Sequence, residues 1–174
     1  GRMAEDGTVI VSGGARGIDS AAHGAALEHG RTVMVLPVGL AKQWKTPALR
    51  RLSERDRDSV CILSQFPPHA GWDSGQAIMR NRVICALADW VLAADPRDRG
   101  GTWSSCRFAL DLGRPLIVVT DASTAGRQRA VRKLVHQGAV SLPPHTVPEP
   151  DALRKIAESM RPSERPVQSK LFGE

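Results

Sequence analysis

The chain reads Ser12-Gly13-Gly14-Ala15-Arg16-Gly17-Ile18-Asp19-Ser20-Ala21-Ala22-His23 directly after the apolar run Val9-Ile10-Val11. An apolar run, a glycine-rich turn and an alanine-rich segment predict a β-strand, a tight turn and the start of an α-helix. The turn leaves backbone N–H groups at the positive end of the helix, where they suit a phosphate. Arg16 adds a planar donor fork, and Asp19 can cap the helix or hold the loop. The alternative is an ordinary strand-to-helix turn.

Outward from this turn, short apolar runs alternate with amphipathic segments. Such alternation predicts an α/β fold with a Rossmann-like, doubly wound, mostly parallel sheet and helices on both faces. The predicted strands are residues 8–12, 32–36, 60–63, 90–94, 116–119 and 140–142. The predicted helices are residues 20–29, 47–57, 76–87, 104–112, 125–137 and 150–160. Residues 1–160 therefore form one predicted domain, and the polar residues 161–174 form a predicted tail.

Composition limits the class of protein. The 174 residues suffice for one domain with a hydrophobic core, and the net charge of +6 is compatible with a polyanionic partner. Three widely spaced cysteines give no zinc pattern, and we expect buried free thiols in a reducing compartment. No apolar run approaches a membrane span and no signal segment opens the chain. We therefore expect a cytoplasmic protein with no metal, no cofactor and no membrane contact.

Two later segments suit an anion. Arg80-Asn81-Arg82 lies early in a predicted helix, and its arginines, two residues apart, do not share one helical face. One arginine can reach a phosphate while Asn81 bonds a base edge or caps a loop; the alternative is a solvated helix end. Gly100-Gly101-Thr102 precedes the next predicted helix. Thr102 or Ser104 can cap that helix and leave N–H groups for an anion.

Basic and aromatic side chains are a second indication of a nucleic-acid partner. Arg129, Arg132 and Lys133 share one face of a predicted helix that contains no acidic residue. That face can track a nucleic-acid backbone, and a solvated face is the alternative. Trp103 either stacks on a base or packs in the core, and the same two interpretations apply to the loop residue Trp72.

Four segments, in the same order, resemble the motifs of the DprA/Smf family of DNA-processing proteins. They are residues 12–23, Leu63-Ser64-Gln65-Phe66-Pro67-Pro68, Arg80-Asn81-Arg82-Val83-Ile84, and Arg99-Gly100-Gly101-Thr102 with Arg107, Ala109-Leu110 and Gly113-Arg114. The resemblance implies the Rossmann-like core of a non-enzymatic protein that binds single-stranded DNA, protects it and hands it to a RecA-type recombinase during natural transformation. It also implies a homodimer. The family's first strand–helix unit, with its Gly-Ser-Arg turn, is not seen in this sequence.

The resemblance also implies a binding site. Arg16, Arg80 and Arg82 would contact phosphates. The full expected set for phosphate or single-stranded DNA is Ser12, Gly13, Gly14, Arg16, Gly17, Asp19, Arg80, Asn81, Arg82, Gly101 and Thr102, with Arg129, Arg132 and Lys133 as an auxiliary basic surface. Four positions depart from the family pattern, so the pocket is expected to be altered: Pro37 replaces a glycine, Ala41 an acidic residue, Gln65 a glutamate and Gly100 a serine.

Two alternatives belong to other classes of protein. The LOG nucleotide phosphoribohydrolases resemble this core and carry Pro-Gly-Gly-x-Gly-Thr-x-x-Glu. The comparable residues 99–106 contain no glutamate for the hydrolysis of an N-glycosidic bond, so we predict no catalytic residue. The altered positions Pro37, Ala41 and Gln65 motivate the other alternative, a sensor that binds a small nucleotide.

Overall fold

The computed structural model describes residues 1–45, 49 and 52–161. The strands are β1 (Ile10–Ser12), β2 (Thr32–Val35), β3 (Val60–Leu63), β4 (Val91–Ala94), β5 (Leu116–Val119) and β6 (Val140–Leu142). The helices are α1 (Arg2–Glu5), α2 (Ile18–His29), α3 (Ser74–Leu87), α4 (Gly101–Asp111), α5 (Ala125–His136) and α6 (Pro150–Ser159). Short 3-10 turns lie at Leu40–Lys45, Glu54–Asp56 and Pro144–Thr146. The predicted α/β fold class is confirmed.

The strands form two three-stranded parallel sheets, in the orders β1-β2-β3 and β4-β5-β6. The middle strands β2 and β5 are the most buried, as expected for parallel strands covered on both faces. Leu116 and Val118 of β5 point into one core cluster, whereas Ile117 between them points into another. This alternation explains why β5 is apolar throughout.

Helices cover both faces of the second sheet. On one face, α3, α4 and α5 enclose a cluster that includes Cys85, Cys106 and Leu134. On the other face, α6 buries Leu153 and Ala157 against β5. A separate cluster of Met34, Leu36, Val38 and Leu49 lies against the first sheet. Helices α5 and α6 are amphipathic because only one of their faces meets the sheet.

The N-terminal segment, residues 1–6, leads into the first sheet and contacts α6, which packs on the second sheet. Met3 of α1 packs against the α6 cluster beneath the second sheet. Arg154 of α6 donates to the Asp6 carboxylate, and Arg2 pairs with Glu149. Exposed ion pairs of this kind contribute little stability, so the apolar packing of Met3 is the stronger of these contacts.

The helix predicted over residues 47–57 is wrong in its second half. Ser53 is extended, with φ −96° and ψ 170°, and a 3-10 turn at Glu54–Asp56 follows it. The Asp56 carboxylate accepts from both the Ser53 N–H and the Ser53 hydroxyl at 2.7 Å. This local side-chain bonding competes with helix formation. Residues 46–48, 50 and 51 of that prediction lie outside the described residues, as do residues 162–174 of the predicted tail.

The cysteines divide into two kinds. Cys85 and Cys106 are buried free thiols as predicted, and burial raises their pKa values to about 11 and about 12. Cys61 is exposed, so the prediction of burial is wrong there. It lies on β3, an outer strand of its sheet whose side chains alternate between half-buried and exposed. Among the described residues, no helix has the length and apolar character to cross a bilayer.

Candidate functional site

The glycine-rich turn follows the carboxyl end of β1 and leads into α2. Gly14 and Gly17 have φ values of 69° and 93°, which residues with a side chain rarely adopt. The Asp19 carboxylate accepts from the Ala15 N–H at 3.3 Å, and Ser20 Oγ donates to the Ala15 carbonyl at 2.6 Å. Asp19 was predicted either to cap the helix or to hold the loop, and in the structure it holds the loop. Gly17 is the N-cap of α2, and no side chain caps that helix.

The start of α4 is built in the same way. Gly100 is its N-cap, with φ 95°, and no side chain caps the helix. The predicted cap by Thr102 or Ser104 is wrong, because the helix begins at Gly101 and Ser104 Oγ turns back to donate to the Gly100 carbonyl at 3.1 Å. By contrast, side chains cap α3 and α5. In α2 the Ser20 N–H already donates to the Ala15 carbonyl at 3.1 Å, so the N–H groups of Ile18 and Asp19 are left for an anion or for water. In α4 the first-turn N–H groups are left in the same way.

Arg80 joins the ends of the first two strands. Its side chain is buried, and Nη1 donates to the Gly13 carbonyl at 2.5 Å and to the Val35 carbonyl. Burial lowers the pKa of Arg80 below its ordinary value, an effect that Asp19 opposes in part. The two arginines of the motif indeed lie on different faces, because Arg82 is exposed. The predicted contact between Arg80 and a phosphate stays a prediction, and the inward position of its guanidinium argues against it.

Asn81 connects α3 to the second uncapped helix. Its Nδ2 donates to the Gly101 carbonyl at 3.3 Å, and its Oδ1 accepts from Arg80 Nε at 3.1 Å. Two adjacent residues of α3 therefore reach the turn after β1 and the start of α4. This bridge brings together three sequence motifs at the carboxyl ends of parallel strands, where open α/β sheets bind their ligands.

The predicted site residues differ in accessibility. Exposed members are Arg16, Gly17, Arg82, Gly101 and Thr102; half-buried members are Ser12, Asp19 and Asn81; buried members are Gly13, Gly14 and Arg80. Arg82 lies 6.0 Å from the ring centre of Phe108, at the outer limit of a cation–π contact. The exposed Arg97 and Arg99 lie in the loop before Gly100 and are not among the predicted site residues. The sequence feature that could have identified them is the charged run Arg97-Asp98-Arg99.

The second motif, residues 63–68, holds a loop in place and contains no charged residue. Ser64 Oγ donates to the Val38 carbonyl at 2.8 Å, which ties the end of β3 to the loop after β2. Gly39 of that loop lies directly against the carbonyl groups of Pro67 and Pro68. Trp103 is half-buried and packs against the core, as one of its two interpretations predicted. Trp72 is exposed.

The predicted auxiliary surface lies on α5. Arg129, Arg132 and Lys133 are exposed there, on a helix with no acidic residue. Arg127 of the same helix instead turns toward Asp95, with its Nη2 at 2.6 Å from the carboxylate. The described part of α5 therefore presents three cations to solvent.

His23 is a buried residue that holds the elements around the glycine-rich turn in place. It is buried, and its Nδ1 lies 2.7 Å from Thr32 Oγ1, whose hydroxyl donates to the Ile10 carbonyl. Nδ1 must then be the donor, because the Thr32 hydroxyl has already given its proton to the carbonyl. Burial lowers the pKa of His23 from its ordinary value of 6.5, with Arg80 adding to this effect and Asp19 opposing it. The neutral ring therefore fixes the start of β2 relative to β1 and α2.

We expect acid to destabilise the fold through His23. Because its pKa is lowered in the folded state, the unfolded chain binds the proton first, and stability falls as the pH drops below 6.5. The free energy of unfolding should fall by up to about 1.4 kcal/mol per pH unit until the folded-state pKa is reached. Urea unfolding between about pH 7.5 and about pH 5 measures this slope. His23→Asn keeps a donor for Thr32 without titrating and should flatten the profile, whereas His69→Asn, at an exposed position, should not. An equal slope in His23→Asn would contradict the assignment.

Comparisons with known proteins point to one family. Residues 1–147 match the model of a family described as DNA recombination-mediator protein A. DNA processing protein DprA of Streptococcus pneumoniae is 32% identical over 136 residues, which are 78% of this chain and 48% of that protein. Protein Smf of Escherichia coli is 30% identical over 139 residues, which are 79% of this chain and 37% of that protein. The chain thus spans about half or less of the length of these relatives.

Solved structures agree with the sequence comparisons. The X-ray structure of DprA from Streptococcus pneumoniae has a TM-score of 0.67 at 30% identity, and the match covers 81% of this chain and 50% of that one. A structure of DNA processing protein A from Helicobacter pylori, described for its single-stranded DNA binding mode, has a TM-score of 0.69 at 25% identity. That match covers 90% of this chain and 69% of the Helicobacter pylori chain.

Proposed function

Because the chain belongs to the DNA recombination-mediator protein A family, as the resemblance to DprA/Smf proteins predicted, we propose that it binds single-stranded DNA at the surface between α2 and α4. We name this surface the phosphate cradle; it comprises the turn at residues 12–17 and the uncapped helix starts at Gly17 and Gly100. One observation carries the proposal: two adjacent residues of α3 bond to the turn that leads into α2 and to the first residue of α4. Helix starts with unpaired N–H groups bind phosphate oxygens.

The residues of the cradle divide by accessibility. We assign the accessible lining to Ser12, Gly101 and Thr102, the backbone beneath it to the buried Gly13 and Gly14, and its shape to Asn81 and Asp19. Arg16 and Arg82 are the exposed cations that we assign to phosphate contacts, because a guanidinium suits phosphate oxygens in a bidentate geometry. Arg80 is assigned to positioning, since its Nη1 already donates to two carbonyls.

A polymer fits this surface better than a single nucleotide. Exposed arginines extend beyond the helix starts, at Arg16, Arg82 and Arg99. The net charge of +6 and the basic face of α5 (Arg129, Arg132 and Lys133) offer further contacts to a backbone. The Helicobacter pylori relative is described as a single-stranded DNA binder. A mononucleotide competitor in the titration separates this function from that of a nucleotide sensor.

Removing the two exposed arginines is expected to weaken binding and its salt dependence. Each phosphate contact to single-stranded DNA contributes about 0.7 to the slope of log K against log salt, so Arg16→Ala with Arg82→Ala should reduce the slope by about 1.4. Fluorescence anisotropy of a labelled oligothymidine over a salt series measures the affinity and the slope. Arg31→Ala is the matched control, because Arg31 is exposed at the opposite, amino end of β2. If the slope of the double variant equals that of the wild type, the assignment of these arginines is wrong.

The partners are proposed on the family alone. A family described as recombination mediators suggests that the bound strand is passed to a RecA-type recombinase. We propose a cytoplasmic homodimer, for which light scattering after size exclusion provides the test of mass.

The role is one of binding, because residues 99–106 offer no carboxylate to the cradle for hydrolysis. Release of free base from AMP would overturn that part of the proposal.

A further inference from the structure

Trp72 is a large apolar side chain that the fold leaves in solvent. It is 68% exposed, more than any other large apolar residue described. Exposure of an indole costs hydrophobic free energy, and a fully exposed tryptophan on a fixed backbone is a common feature of surfaces that bind a flat partner. The residue stands directly before α3, the helix that carries Arg80 and Asn81.

The backbone on both sides of Trp72 is held by hydrogen bonds. Asp73 caps α3 by accepting from the Gln76 N–H at 3.0 Å. In the amide orientation that satisfies its neighbours, the Gln76 side chain donates to the Gly71 carbonyl at 3.2 Å and to the Pro37 carbonyl at 3.1 Å. These bonds hold the residues on both sides of Trp72, so stacking of the indole requires little further ordering of the backbone.

The loop below Trp72 is anchored to the end of β2. The Gly39 N–H donates to the Ala70 carbonyl at 3.0 Å, and the Ala41 N–H donates to the Pro68 carbonyl at 2.9 Å. These two bonds fasten the loop that ends at Trp72 to the turn after β2. Trp72 thus stands on an anchored loop at the same carboxyl edge of the sheet as the phosphate cradle.

Helix α3 sets the separation between Trp72 and the cradle. Gln76 and Arg80 lie one turn apart, and their contacts run along the ends of the strands from Pro37 to Gly13. The seven residues from Asp73 to Arg80 rise by about 10 Å along the helix. From this separation we expect a single strand with a phosphate in the cradle to place a nearby base at the indole.

We propose that Trp72 is a base-stacking residue for single-stranded DNA, which rests on the proposed function of the phosphate cradle. Each nucleobase has an apolar π-face, and an exposed indole offers the complementary face without selecting a particular base. The exposed arginines bind the backbone, and Trp72 binds a base. Stacking of this kind distinguishes a single strand from a duplex, whose bases already stack on each other.

The test compares two probes of equal length, a labelled oligothymidine and an oligonucleotide of abasic sites. Trp72→Ala should bind the oligothymidine about 5- to 100-fold more weakly than the wild type. Its affinity for the abasic probe and its salt slope should not change, because no charge is lost. Trp72→Phe keeps an aromatic face and should retain most of the affinity. Leu87→Ala, which removes an exposed apolar side chain at the far end of the same helix, is the matched control.

The outcomes separate the two proposals. If the wild type binds oligothymidine and Trp72→Ala binds it equally well, the stacking proposal is wrong. The proposal that DNA binds at the phosphate cradle is then unaffected. If Trp72→Ala loses affinity for both probes to the same degree, the side chain acts on the backbone site and the stacking proposal is again wrong. If the wild type binds neither probe, the proposed function fails and stacking fails with it. Thermal unfolding of each variant confirms that this exposed position leaves the fold intact.

Discussion

Arg80→Ala is expected to lower the free energy of unfolding by about 3–5 kcal/mol. The buried guanidinium is the donor to the carbonyl of Gly13, in the turn after β1, and to that of Val35, the last residue of β2. Hydrogen bonds from a charged donor contribute about 1.5–3 kcal/mol each, and both carbonyls lose this donor when it is removed. Relief from the cost of burying the charge offsets only part of this loss, because the cavity that remains also destabilises the fold.

Urea unfolding of a matched pair measures this effect. Arg82→Ala removes an exposed arginine two residues further along the same helix and should change the free energy of unfolding by no more than about 0.5 kcal/mol. Arg80→Met fills much of the same volume without donors, so it should destabilise the fold by less than Arg80→Ala but still by more than about 1 kcal/mol. A loss below about 1 kcal/mol in both Arg80 variants would show that the guanidinium does not hold the strands together.

A double-mutant cycle locates the effect at the turn. A Cβ atom added at Gly13 would overlap the Arg80 guanidinium, which cannot move away without losing its carbonyls. Gly13→Ala should therefore be strongly destabilising in the wild type and much less so when Arg80 is alanine. The coupling energy of residues in such contact is about 0.5–3 kcal/mol. Additive effects would contradict a direct contact between these two positions.

Gly39→Ala is the second substitution with a large expected effect, a loss of about 3 kcal/mol or more. The new Cβ would lie 2.5 Å from the Pro68 carbonyl carbon and still closer to the carbonyl oxygens of Pro67 and Pro68. These are backbone atoms, so no rotamer change relieves the clash. The loop has to move, and with it the bond from the Gly39 N–H to the Ala70 carbonyl.

Gly71→Ala provides the control in the same loop. No atom lies within 4 Å of a Cβ at that position, so the change in unfolding free energy should stay within about 0.5 kcal/mol. Unfolding of the two variants side by side distinguishes a steric requirement from a general need for flexibility. Comparable losses in both would favour flexibility and contradict the packing argument for Gly39.

Much of the fold followed from local patterns. The apolar run before Gly13 and the alanine-rich segment after Gly17 predicted β1 and α2 because strand and helix periodicities are local properties. The helix predicted over residues 47–57 is wrong in its second half, also for a local reason. Ser53 and Asp56 bond to each other, and this short-range side-chain bonding outweighs the helical propensity of the residues around them.

The candidate site was predictable only in part. The sequence located the turn, the Arg80-Asn81-Arg82 segment and Gly101, and their convergence follows from parallel strands that end at one edge. It did not identify which arginine points inward. Arg99 belonged to the fourth motif but was not among the expected site residues, and Arg97 lies outside the motifs.

The sequence by itself determined that β1, the glycine turn and α2 follow one another and that the two arginines of α3 face apart, because these properties depend on neighbours a few residues away. The alternation of apolar runs and helical segments also predicted a mostly parallel sheet, but the pairing itself joins distant residues such as Ile10 and Thr32. Only the tertiary structure decided that Arg80 is the buried one, because its acceptors at Gly13 and Val35 are 67 and 45 residues distant. The same holds for Trp72: its exposure depends on which elements pack beside it, and hydrophobicity alone would have placed it in the core.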